Sequence, residues 1–309
     1  MKEVIPNDYD ELPTELFYRV LETLSKKPGN KYQFLVKSGY SYKNALLNLF
    51  KIVWKTEQIP DVWYDSTLIQ ISKGKSNIND LNNFRFIHDK NFVFKFLGQI
   101  IMNLAKVPIF KNMSKFQIAC KPGHRASEHL YTIKSVMAYF STKKKGLIMS
   151  SFDLEKFFDS EELYDCLGEL YARDVKGKLY RLLYQMNKNI RIKVKTPVGV
   201  TDPKDTGTAV GQGTVDGAVL SSNNSDKGLE EAFNDPTKEL KYEDTILGPI
   251  IFMDDIFRMA GNREMAQYAN EKMEEFIGPK LLKINLQKSG FLIFGNKKKQ
   301  KVFRKPSEG

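Results

Sequence analysis

The 309 residues predict an α+β fold, and three features carry that expectation. Apolar residues recur at helix spacing near the N-terminus, with Leu16, Val20, Leu21 and Leu24, and again with Ala45, Leu46, Leu49 and Phe50. Short apolar runs of strand length follow, two of them ending in aspartate. Helix-type and strand-type segments then mix without the regular alternation of a doubly wound sheet.

The helical pattern reaches about Trp54 and is broken at Pro60. Thr67 to Ser72 reads as a strand closed by Lys73-Gly74-Lys75, and a polar loop leads to Phe84-Arg85-Phe86-Ile87-His88. Two helices are expected next, the second with Leu130, Ile133, Met137 and Phe140 on one face. Leu147 to Asp153 reads as a short apolar strand, followed by a helical region from Glu161 to Asn187 that Asp159 or Ser160 could cap. From Asn189 the chain alternates strictly, which sets Arg191, Lys193 and Lys195 on one face of a strand. A helix from about Arg263 to Phe276 precedes the apolar run Lys288 to Phe294, and residues 296–309 form a basic tail without apolar period.

Lys and Arg number 48 against 37 acids, a net charge of +11 that suits a polyanionic partner, nucleic acid first. Two cysteines, Cys120 and Cys166, are too few for a disulfide framework, and the three histidines form no zinc signature with them. The greasiest segment, Phe92 to Phe110, carries Lys95, Gln99, Asn103 and Lys106 and makes a poor membrane span. These features lead us to expect a soluble intracellular protein with no membrane partner, nucleus and cytoplasm both open.

The chemistry is concentrated in acids. Asp254-Asp255 interrupts an apolar run, with about one strand on either side, as a hairpin tipped by the two aspartates would. Such a tip could bind a hard cation, and it could equally be an ordinary Asp-containing turn. Asp153 also ends an apolar strand. If Asp153 and Asp254 end neighbouring strands, they form a carboxylate cluster able to hold two divalent ions, the arrangement used for in-line nucleotidyl transfer.

Asp153-Leu-Glu-Lys-Phe-Phe-Asp159 and Phe252-Met-Asp-Asp255 resemble motifs A and C of reverse transcriptases. The chain is most similar to the reverse-transcriptase domain of non-LTR (LINE-type) retrotransposons. Ile59-Pro-Asp-Val-Trp63, Leu68 to Lys75 and Asn83-Phe-Arg-Phe-Ile87 resemble that family's fingers signature, and Gln117 to Ser127 its next block. Val210-Gly-Gln-Gly-Thr214 is similar to motif B, and Asn285-Leu-Gln-Lys288 to motif D. These blocks occur in family order along the chain.

The resemblance implies a right-hand polymerase core with an antiparallel palm sheet, fingers over residues 1–145 and palm over 146–295. It implies an RNA-directed DNA polymerase that adds dNTPs to the 3′-hydroxyl of a DNA or RNA primer on an RNA template. Asp153, Asp254 and Asp255 would ligate two Mg²⁺ ions, with Mn²⁺ the alternative. Lys73 and Arg85 would clamp the triphosphate, a point charge and a planar fork that both suit phosphate oxygens. Gln212 would lie by the nucleotide between two glycines. Phe158 would exclude the ribose 2′-hydroxyl, where related RNA polymerases carry an acid, although Phe157 and Phe158 could both be core. Lys288 would donate a proton to the leaving pyrophosphate, and Arg191, Lys193 and Lys195 would meet the template–primer backbone. The rival readings are an RNA-directed RNA polymerase and a nucleic-acid-binding scaffold of the same fold that has lost the chemistry.

The sequence departs from the family in motif B, where Gly211 replaces the usual Pro, and in the fingers block, where Phe86 follows Arg85 in place of Pro. The stretch after Phe294 is also too short for the family's helical thumb, so a fingers–palm core without a thumb is expected, a piece of a longer polyprotein.

Overall fold

The computed structural model describes residues 9–26, 32–74, 80–196, 198–205, 210–211, 213–233, 235, 237–280 and 282–295. Gln212 and the basic tail 296–309 lie outside them. Helices α1 (Thr14–Ser25), α2 (Tyr32–Lys37) and α3 (Tyr40–Thr56) lead to strands β1 (Asp65–Ser72) and β2 (Phe84–Lys90). Next come α4 (Phe92–Asn112), α5 (Ala126–Thr142), β3 (Leu147–Phe152), the short α6 (Phe157–Ser160), α7 (Leu163–Ala172) and α8 (Gly177–Lys188). Strands β4 (Arg191–Thr196), β5 (Gly199–Val200) and β6 (Lys204–Asp205) precede α9 (Gly217–Ala232). The order closes with β7 (Leu240–Tyr242), β8 (Thr245–Leu247), β9 (Ile250–Phe252), β10 (Asp255–Ala260), α10 (Arg263–Ile277) and β11 (Gly290–Phe294).

Contacts divide the chain into two compact units, each discontinuous in sequence. One comprises Met1–Asn112 with Glu162–Leu220, the other Met113–Glu161 with Ser221–Gly309. The chain returns to the first unit after Glu161, where β4 pairs in parallel with β1 and α8 packs on α4.

The first unit is built on aromatic packing. The rings of Phe17 and Phe96 lie 4.9 Å apart and those of Phe50 and Phe96 5.2 Å apart, within the range where edge and tilted contacts are favourable. Leu16, Val20, Leu21 and Leu24 of α1 are buried at the expected spacing. Among the described residues α4 alone is long and apolar enough to cross a membrane, and 61% of its apolar window is buried within the protein. Gly98 in α4 lets Met186 of α8 approach, since an added Cβ would lie 2.8 Å from the Met186 methyl. The sheet runs β2-β1-β4-β5, with β6 also on β4.

The helical region expected over Glu161–Asn187 is two helices. Asp174 (φ 65°) and Gly177 (φ 59°) turn the chain between α7 and α8. Asp159 and Ser160 belong instead to the short helix α6, and the N-cap position of α7 is Glu162, whose side chain makes no capping bond.

The second unit holds the antiparallel sheet β11-β3-β10-β9. Alternation along the strands separates two cores. Leu147, Met149, Ile250 and Met259 pack with Val136 and Phe140 of α5. Phe152, Ile251 and Ile256 pack with Leu229, Phe233 and the α10 residues Ala269, Met273 and Phe276. Of the face expected on α5, Ile133, Met137 and Phe140 meet the core, whereas Leu130 is 58% exposed.

A strap formed by Phe116–Ile118 runs along β9. Ile251 N–H donates to Phe116 O (3.3 Å) and Ile118 N–H to Ile251 O (3.4 Å). The Phe116 ring covers Gly248 so closely that an added Cβ would overlap it. Gly248→Ala is therefore expected to destabilise the fold by about 1–3 kcal/mol through overpacking, read as a lower urea midpoint.

Candidate active site

Two backbone devices bring the acids together in the second unit. Strands β9 and β10 form a hairpin whose two loop residues are Met253 and Asp254, with Asp255 opening β10 opposite Phe252. The expected tip, Asp254-Asp255, is thus shifted by one residue. Met253 has φ 59° and Asp254 does not share that sign, as in hairpin turns of the II′ type. Glycine is the usual occupant of that position, so Met253 carries strain of order 1 kcal/mol.

The β3–β10 register pairs Ile256 with Phe152, and extended by one residue it sets Asp153 opposite Asp255. Directly opposed residues of an antiparallel pair share a face, so that register gives those two carboxylates the same face. The loop after α10 closes around Asp153. Asn285 N–H donates to Asp153 O (2.8 Å), and Asp153 N–H donates to Ser289 Oγ (2.9 Å). The Asn285 Oδ1 accepts from Gln287 and Lys288 N–H, a turn that delivers the Lys288 ammonium to Asp153 at 3.2 Å from each carboxylate oxygen.

Burial pushes the Asp254 carboxyl above the usual range, and repulsion from Asp255 and Asp153 adds to it; a backbone hydrogen bond and Lys288 oppose the rise. Asp255 is raised for the same reasons, burial first and Asp153 second. Among the described residues no three His, Cys, Asp or Glu side chains stand close enough to cage a metal ion. The sheet end nevertheless offers three hard carboxylates whose mutual repulsion calls for positive charge, and Lys288 supplies it at Asp153. Oxygen donors of this kind suit Mg²⁺ rather than a softer metal.

The profile of the reverse transcriptase (RNA-dependent DNA polymerase) family matches residues 71–304. The chain belongs to the reverse transcriptase family. Its fold is that of a fingers–palm core, and solved structures with a similar fold include telomerases. The apo telomerase of Candida tropicalis, truncated from its C-terminal domain, matches with TM-score 0.55 and 12% identity over 84% of this chain and 57% of that one. The telomerase of Candida albicans in complex with a TWJ fragment of telomeric RNA matches with TM-score 0.56 and 10% identity, over 77% and 42%. The chain spans about half the length of these relatives.

In this reverse transcriptase core Phe157 is buried and Phe158 half-buried, their rings edge to face at 5.8 Å. Phe157 is core, and Phe158 leans on the same cluster.

The remaining sequence-derived residues lie in the first unit. Lys73 follows the end of β1, and Arg85 near the start of β2 pairs with Ile71, so register puts both cations on one face at one end of that sheet. Both are exposed. At Gly211 and Gly213, on either side of Gln212, an added Cβ would meet Thr214 at 2.8 Å and the His88 ring at 3.2–3.3 Å in the first case and Ile87 at 2.7 Å in the second. Thr214 Oγ1 donates to Gly211 O (2.9 Å) and accepts from Gly217 N–H (3.0 Å), tying the loop to α9.

Arg191 and Lys193 are not free for phosphate. Arg191 bonds Asp61 and Asp65, and Lys193 bonds Asp65, all at 2.7–2.8 Å. Lys195 is exposed. Sequence reasoning did not assign Asn285, Ser289 or Gln117 a role. The first two stood within or beside the motif D resemblance, where an Asn-containing turn was the available signal.

Proposed function

We propose that the chain is the polymerase core of an RNA-directed DNA polymerase, extending a DNA or RNA primer with dNTPs on an RNA template. The observation that carries this reading is the convergence of Asp153, Asp254 and Asp255 at one end of the antiparallel sheet, with Lys288 on Asp153. Asp153 and Asp254 would be the principal ligands of Mg²⁺, with Asp255 beside them. When bound, the metal would lower the pKa of the attacking 3′-hydroxyl and steady the leaving oxygen. Lys288, on leaving Asp153, would hold a proton for the pyrophosphate. Lys73 and Arg85 would clamp the triphosphate, and Gln212 would contact the nucleotide. Lys195 would touch the template–primer backbone, with Arg191 and Lys193 doing so only if they exchange their carboxylate partners for phosphate.

At finer grain, the order of these sequence blocks supports a LINE-type retrotransposon origin. Two cysteines, Cys120 and Cys166, are too few for a disulfide framework, which supports a reducing intracellular setting.

The test is primer extension on an RNA template with Mg²⁺, supplied with dNTPs or with rNTPs. Preferential use of dNTPs is expected. Phe158→Val should then raise rNTP incorporation relative to dNTP by roughly tenfold or more, as the ring no longer fills the 2′ position. Preference of the wild type for rNTPs would make it an RNA polymerase, and salt-sensitive binding without extension would make it a scaffold.

A further inference from the structure

We propose that Gln117 is a positioning residue that holds the β9–β10 hairpin in the conformation presenting Asp254; the proposal rests on the polymerase reading above. Gln117 is fully buried, and its Oε1 accepts from two backbone donors, Met253 N–H at 3.2 Å and Ala119 N–H at 3.0 Å. Two converging N–H groups require the oxygen there, which fixes the amide's orientation. The backbone on both sides of Gln117 is bonded to Ile251, so the side chain cannot drift away from the hairpin. It thus bridges the strap to the residue immediately before Asp254.

That residue needs an anchor. Met253 sits at φ 59° without the freedom of glycine, and its loop projects a carboxylate repelled by two others. Both effects favour opening the turn. The Gln117 bond opposes opening from inside the protein, at the loop's first N–H. The strap is itself pinned: Ser114 N–H donates to buried Asp226 (2.8 Å), and Lys121 reaches the carbonyls of Met113 and Ser114. The Gln117 Nε2 has no hydrogen-bond partner among the described residues, so the side chain's contribution to this contact is made by its oxygen.

The experiment compares wild type with Gln117→Met, which keeps the length and loses the acceptor, and with Gln117→Glu, which keeps an oxygen for both donors. Displacement of a reacting geometry by a fraction of an ångström to 1 Å costs about 10- to 100-fold in rate. Gln117→Met is therefore expected to lower kcat by that factor with dNTP KM unchanged, and to raise the Mg²⁺ concentration for half-maximal rate. Gln117→Glu should recover most of the rate. Amide hydrogen exchange over Ile250–Ile256 should quicken by about tenfold in Gln117→Met.

Wild-type kcat and Mg²⁺ requirement per folded molecule in Gln117→Met, or unchanged exchange in the hairpin, would overturn the proposal. If Gln117→Met does not fold, Gln117→Asn keeps the amide one methylene short and carries the same comparison. If the wild type itself extends no primer, the polymerase reading fails, and hairpin exchange alone decides whether Gln117 holds the turn.

Discussion

Asp254→Asn is expected to abolish primer extension, by about a thousandfold or more, while making the metal-free protein more stable at neutral pH. The loss follows from removing one of the charges that would hold Mg²⁺, a contribution of several kcal/mol to the transition state and so of three or more decades in rate. The stability gain follows from repulsion. Asp254 and Asp255 have pKa values raised in the folded protein, so over the window between their ordinary and raised values the folded state binds more protons than the unfolded one. Stability then falls as pH rises through that window, and the wild type bears the full cost above it. The neutral amide removes this cost above the window and gains little below it. Thermal unfolding of both proteins across pH without divalent ions measures the difference. A variant less stable than wild type at neutral pH would mean that Asp254 is held by contacts stronger than its repulsions.

The second large effect lies beneath the sheet. Arg258 in β10 and Glu239 are 2% and 4% exposed and form a two-point ion pair at 2.5 and 2.7 Å, with the guanidinium 4.6 Å from the Phe233 ring. Arg258→Met is expected to destabilise the fold by about 3–5 kcal/mol, because it leaves Glu239 buried and uncompensated. Burial already raises the Glu239 carboxyl, against the pull of Arg258. Without that pull the pKa rises further, so the variant regains stability as pH falls through the raised value and Glu239 becomes neutral. Arg258→Met with Glu239→Leu should recover most of the loss, since paired apolar replacement of a buried ion pair is often neutral or better. Urea unfolding of the single and double variants gives the comparison; a single variant within about 1 kcal/mol of wild type would show the pair to be worth little.

Several elements could be read from local sequence because local chemistry decides them. The α1 spacing of Leu16, Val20, Leu21 and Leu24, the β4 strand from Arg191, and the apolar run of β3 leading to Asp153 all appear in the structure as expected. The acids could also be singled out from sequence, since carboxylates beside apolar strands carry a cost that demands a reason. The α7–α8 break went unread although Gly177 marks it, because its first turning residue, Asp174, is a non-glycine whose positive φ leaves no compositional mark.

By itself the sequence determined the reverse transcriptase family, the α+β class and which residue types could hold a cation or a phosphate. Tertiary structure decided which of those charges are already paired. Asp65 and Asp61 take up Arg191 and Lys193, and Lys288 returns to Asp153. It also decided the one-residue shift of the hairpin tip and the hold of Gln117 on Met253 across 136 residues of chain. The physical reason is range. Periodicity and turn chemistry act within a few residues and can be read in order. Ion pairing and buried hydrogen bonds are set by which distant segments fold side by side, and that is a property of packing.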